Sequence, residues 1–160
     1  MTNDLTYTEL TDDKQSLYER DYYRWALQQA RALKEHRLED LDWENLSDEV
    51  EGLAKTARRE LRSRLKVLLE HLIKWQLQPQ RRGRSWRTTV AVQRLEIREH
   101  LDENPGLKPS VAEVLAQAYK AARLEVSGRF LRRSDPQPRD SCPWPFERVM
   151  DEQSGLTNAG

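Results

Sequence analysis

Residues 46–79 read LSDEVEGLAKTARRELRSRLKVLLEHLIKWQLQP. Leu46, Val50, Leu53, Ala57, Leu61, Leu65, Leu68 and Leu72 step by three or four, which puts them on one face of a helix. Leu69, Ile73 and Trp75 widen that face toward its end, while Lys55, Arg58, Arg59, Arg62 and Lys66 fall on the other side. The spacing predicts a helix from Leu46 to Gln76, about 46 Å long at 1.5 Å per residue. Asn45 or Ser47 is the expected N-cap. Pro79 stops the run, because the residue before a proline disfavours the α region, and Gly52 is the expected place for a bend.

On the N-terminal side, Tyr18, Tyr22, Trp25, Ala26, Gln29 and Leu33 recur at helical spacing and predict a first helix. Leu38 to Trp43 reads as a turn between helices. Beyond Pro79, a third helix carries Trp86, Val90, Gln93, Ile97 and Leu101 on one face, with Ser85 as its expected N-cap. Asn104-Pro105-Gly106 breaks the chain. A fourth helix from Pro109 to Ser127 aligns Val111, Val114, Leu115, Ala118 and Ala122, with Gly128 as its expected C-terminal cap. Pro136, Pro138, Pro143 and Pro145 then exclude continuous helix. Strand signals and hairpin turns are nearly absent. The expectation is an all-α four-helix bundle over residues 17–130. A flexible segment, 1–16, precedes it, and a proline-rich tail, 131–160, packs across it and ends in a short helical turn near Phe146 to Met150.

Charged residues make up 34% of the chain and cancel to zero, which argues against a general polyanion binder. Their distribution is uneven. Residues 1–54 carry six Lys/Arg against fourteen Asp/Glu, and residues 55–100 carry thirteen against four. An acidic helix beside a basic one gives such counts, and so does a nucleic-acid face. Cys142 is alone, so it forms no intramolecular disulfide and supports no thiolate zinc cluster, and a reducing cytoplasm is expected. Met1 to Tyr7 has no basic residue ahead of an apolar stretch, so no secretory leader is expected. No run of eighteen apolar residues suggests a membrane span.

A helical bundle raises the question of a di-iron site, whose signature is a pair of Glu-x-x-His motifs. Leu33, Leu68 and Ile97 stand three residues before His36, His71 and His100, so neither a metal nor another cofactor is expected. His71 lies beside the apolar stripe, four residues before Trp75, where a neutral imidazole serves either as a core hydrogen-bonding group or as a general base. Glu96 and His100 share a helical face and read as solvated support. No nucleotide loop or nucleophile motif occurs. Cys142 reads as a packing residue that anchors the tail. The connection Arg81, Arg82, Arg84 and Arg87, set between Trp75 and Trp86, has the composition of a phosphate- and base-binding segment. It also suits closure of the bundle, with both indoles in the core and the arginines capping the second helix and pairing with the acidic N-terminal region.

Four stretches are distinctive in combination: Tyr22-Tyr23-Arg24-Trp25; Leu41-Asp42-Trp43-Glu44-Asn45-Leu46; His71 to Pro79, continuing through Arg82 to Ser85-Trp86-Arg87; and Cys142-Pro143-Trp144-Pro145. In these the chain resembles the bacterial family known as domain of unknown function 29, over roughly residues 17 to 150. The resemblance implies a compact helical fold in an intracellular bacterial setting and implies no activity. Ser47-Asp48-Glu49-Val50-Glu51 departs from the more uniformly Glu-rich stretch of that family. No catalytic set is expected, and the expected role is a non-catalytic interaction or regulatory module whose partner is another protein or a second copy. Nucleic-acid binding through Arg81 to Arg87 and an enzyme centred on His71 are the alternatives, and no membrane is implied. The candidate binding residues are His71, Trp75, Arg81, Arg82, Arg84, Trp86 and Arg87.

Overall fold

The computed structural model describes residues 17–153, so the N-terminal segment 1–16 lies outside the described residues. Helix takes in 79% of what is described, and no strand occurs there. After a helical stretch at 17–20, the elements are α1 (Tyr22–Lys34), α2 (Trp43–Leu77), α3 (Arg84–Glu103), α4 (Val111–Arg129) and α5 (Phe146–Met150). Short 3-10 turns at Leu38–Asp40, Pro79–Arg81 and Pro105–Ser110 join them. Among the described residues no helix is long and apolar enough to cross a membrane.

The helix ends differ from the expectation in instructive ways. α2 starts at Trp43 because Asp42 caps it, its carboxylate accepting from the Asn45 backbone at 3.3 Å and the Asn45 side chain at 2.7 Å. Ser47 and Asn45 are therefore inside the helix. α3 begins one residue before Ser85, with Gly83 at the N-cap and no side-chain cap bond. α4 runs through Gly128 to Arg129. With 35 residues, α2 extends about 52 Å and stays unbroken through Gly52. His36, just past the end of α1, has φ 55, the left-handed conformation common where a helix terminates.

The chain divides within α2 into two compact units, 1–55 and 56–160. In the first, the buried face of α1 is Trp25, Gln29 and Ala32; Leu33, which the sequence placed on that face, is exposed instead. The Trp25 indole donates to Asp42 at 3.0 Å, and the Gln29 amide oxygen accepts from the Asp42 backbone at 2.8 Å. Tyr18 and Tyr22 donate to the two oxygens of Glu49 at 2.7 and 2.8 Å. These two bonds hold the Glu49 carboxyl below its ordinary range, and the Tyr18 phenol, bonded to that carboxylate, is pushed up to about 12. Helix α1 thus engages Asp42, the cap of α2, and Glu49 on that helix.

The second unit holds the main core. Leu61, Leu65, Leu68, Leu69, Leu72 and Ile73 of α2 meet Val90, Ile97 and Leu101 of α3 and Val114, Ala118, Ala122 and Val126 of α4. Trp144 and Val149 bring the tail into the same cluster. His100 is buried rather than solvated, its Nε2 2.8 Å from the Ala57 carbonyl, while Glu96 pairs with Arg64 at 2.9 Å. Arg94 is buried as well and donates through Nε to the Val149 carbonyl at 2.9 Å, which secures the end of α5. Cys142 is half-buried against the core, its thiol 3.3 Å from the Trp144 carbonyl and pushed up by burial.

Candidate functional site

The residues singled out by the sequence meet at the C-terminal end of α2. Trp75, 1% exposed, is buried. The guanidinium groups of Arg82 and Arg87 lie 5.4 and 5.3 Å from its ring centre. Arg82 also donates through Nε to the Trp75 carbonyl at 2.7 Å, so it satisfies one of the acceptors left open at a helix end. The indole N–H of Trp75 is buried without a hydrogen-bond partner, as is the Gln78 amide oxygen. Trp86 is only partly buried, and neither it nor the buried Trp75 belongs to the main core cluster, contrary to the expectation that both indoles pack there. Arg81, Arg84 and Arg87 make no ion pair among the described residues, so the expected pairing with acidic residues is not found for them.

His71 is half-buried on the same helix. Its Nδ1 donates to the Val67 carbonyl at 2.8 Å, which leaves Nε2 as the acceptor, and its ring meets Trp86 edge-on at 6.4 Å. Burial pushes its pKa below the ordinary 6.5, and the nearby Lys74 charge adds to that. Among the described residues no carboxylate hydrogen-bonds it, so the geometry supplies a neutral imidazole and no acid–base pair. Lys74, which the sequence reading passed over, is 6% exposed. Its ammonium lies 5.2 Å from the Trp86 ring centre and 4.6 Å from that of Phe130. The π-faces take over part of the role of water, and burial lowers its pKa. The signal was a lysine set within the apolar run Leu72-Ile73-Lys74-Trp75. Among the described residues no group of three or more His, Cys, Asp or Glu side chains is placed to hold a metal ion.

A second feature contradicts the expected core. Trp43, Val50 and Leu53 are 60%, 64% and 72% exposed, although Val50 and Leu53 continue the stripe that is buried from Leu61 onward. With the half-buried Leu46 they step by three, four and three, the repeat of a helix-pairing seam. Residues 43–54 carry Glu44, Asp48, Glu49 and Glu51 and no basic side chain. Tyr22, Tyr23, Leu27, Leu33 and Leu38 of the same unit are exposed too, so this unit presents most of the large apolar side chains that face solvent among the described residues.

The family model described as Domain of unknown function DUF29 matches residues 17–154. No curated protein and no solved structure matches.

Proposed function

The chain belongs to the DUF29 family, and from that premise we propose that it is a non-catalytic helical interaction module of the bacterial cytoplasm. The observation that carries this reading is the exposed seam Trp43, Leu46, Val50 and Leu53 on α2. Exposed apolar side chains in helical register mark a docking face for a helix. The net charge of residues 43–54, four carboxylates and no basic side chain, selects the partner: a second copy would set this acidic stretch against its like, whereas an amphipathic helix rich in Lys and Arg complements it. The partner is therefore a basic amphipathic helix of another protein. The lone, half-buried Cys142 fits a reducing compartment. The polyanion reading has less support, because Trp75 is buried under Arg82 and Arg87 and Lys74 lies against the Trp86 ring, so neither indole presents an open face like that of a stacking platform. The enzyme reading has less still, since among the described residues no carboxylate hydrogen-bonds His71 to orient it.

Titration calorimetry with a synthetic Leu/Lys heptad peptide tests the proposal. The full chain binds it with a Kd on the order of micromolar, and does not bind the Leu/Glu counterpart. The double variant Val50→Glu, Leu53→Glu loses binding while its thermal midpoint stays put, because both side chains are exposed. No binding by the wild type overturns the reading. Equal binding by the double variant does so too, since adding acidic charge would strengthen a merely electrostatic association.

A further inference from the structure

We propose that the second unit binds a small aromatic carboxylate in the cavity between the end of α2, α4 and the proline-rich tail. The cavity encloses about 360 Å³, within the range of small-ligand sites. Ile73 and Leu77 from the last turns of α2 form an apolar wall, and Tyr119 and Trp144 form an aromatic one. The two aromatic rings stand edge to face at 6.5 Å, a rigid corner that suits a flat ring. The corner is fastened, because the Tyr119 hydroxyl donates to the Arg139 carbonyl at 2.9 Å and ties the tail to α4. Burial raises the Tyr119 pKa, so the phenol stays neutral and keeps that bond.

The polar lining has one sign. Arg139 and Arg148 border the cavity, no carboxylate lines it, and neither arginine has an ion-pair partner among the described residues. Some arginines of this unit find carboxylates, as Arg123 does with Asp140 and Arg58 with Glu113 at 2.9 Å, and others, such as Arg81 and Arg84, do not; Arg139 and Arg148 differ from those in bordering an apolar and aromatic cavity. Two unpaired guanidinium groups beside an apolar corner recognise an anion that carries a flat apolar body, and a planar carboxylate matches the guanidinium fork. The volume holds a one- or two-ring acid. The site lies wholly in the second unit and uses no residue of the docking seam, so the two proposals stand or fall separately.

The test is calorimetry of the full chain with 2-naphthoate as probe, alongside 2-naphthol and inorganic phosphate. Naphthoate binds with a Kd below about 1 mM, and naphthol and phosphate each bind at least about tenfold more weakly. In Arg139→Gln, Arg148→Gln, whose replaced side chains are exposed, naphthoate affinity falls about tenfold or more while the thermal midpoint is unchanged. The proposal is overturned if naphthoate fails to bind at about 10 mM, if the double variant binds it as the wild type does, or if naphthol or phosphate binds equally well.

Discussion

His71 shows how much one side chain's surroundings change its chemistry. Burial and the Lys74 charge disfavour its imidazolium, and its Nδ1 proton is committed to the Val67 carbonyl. The unfolded chain, with an ordinary value near 6.5, takes up the proton more readily than the folded one. The stability this group contributes is therefore present above about pH 6.5 and is lost as pH falls through the lower folded value. Urea unfolding midpoints should drop between about pH 7.5 and 5.5, and the drop should be shallower in His71→Gln; an equally steep fall in the variant sinks this account. The sequence located His71 and Trp75 beside the apolar stripe, because periodicity reports which face a residue shares. It did not foresee Lys74, Arg94 or His100 in the interior, because a polar residue is buried when a particular carbonyl or ring lies opposite it. Ala57, Val149, Trp86 and Phe130 come from distant parts of the chain.

Among the elements, α2 carries both the core and the seam, and its reading from sequence was half complete. Leu53 and Leu61 are indistinguishable by spacing, yet one is exposed and the other fully buried. Periodicity identifies an apolar face, and only the rest of the fold decides whether anything covers it. Gly52 lies in this helix between Val50 and Leu53, and a Cβ built there meets nothing within 4 Å. With no steric penalty to offset it, Gly52→Ala should stabilise the protein by about 0.5 to 1 kcal/mol through the lower conformational entropy of the unfolded chain. Thermal and urea midpoints read this directly, and a fall in either means that the helix needs the glycine's freedom. The helix starts were missed for a similar reason: Asp42 caps α2 while also serving Trp25 and Gln29, a threefold use that no local motif announces.

At the scale of the whole molecule, the charge break at residues 54/55 falls beside the division of the chain at 55/56. From sequence the break fitted an acidic helix beside a basic one or a nucleic-acid face; it runs along α2 itself, acidic up to Glu51 and basic from Lys55. The five tryptophans divide by environment in a way that follows from the same layout. Trp25, Trp75 and Trp144 are buried and Trp86 partly so, whereas Trp43 stands open in an acidic stretch of the sequence, between Asp42 and Glu44. The molecule consequently contains its own optical probe of the docking face. A dissolved quencher reaches Trp43 first, and the local negative potential sorts quenchers by sign, concentrating caesium ions and repelling iodide. Relative to free tryptophan, caesium should extinguish the red-edge emission more effectively than iodide at low ionic strength, and Trp43→Phe should remove most of the quenchable fraction, the partly buried Trp86 supplying the rest. A basic helix seated on the seam should reduce the contrast between the two ions, so that occupancy becomes visible as a loss of charge-selective quenching without any label attached.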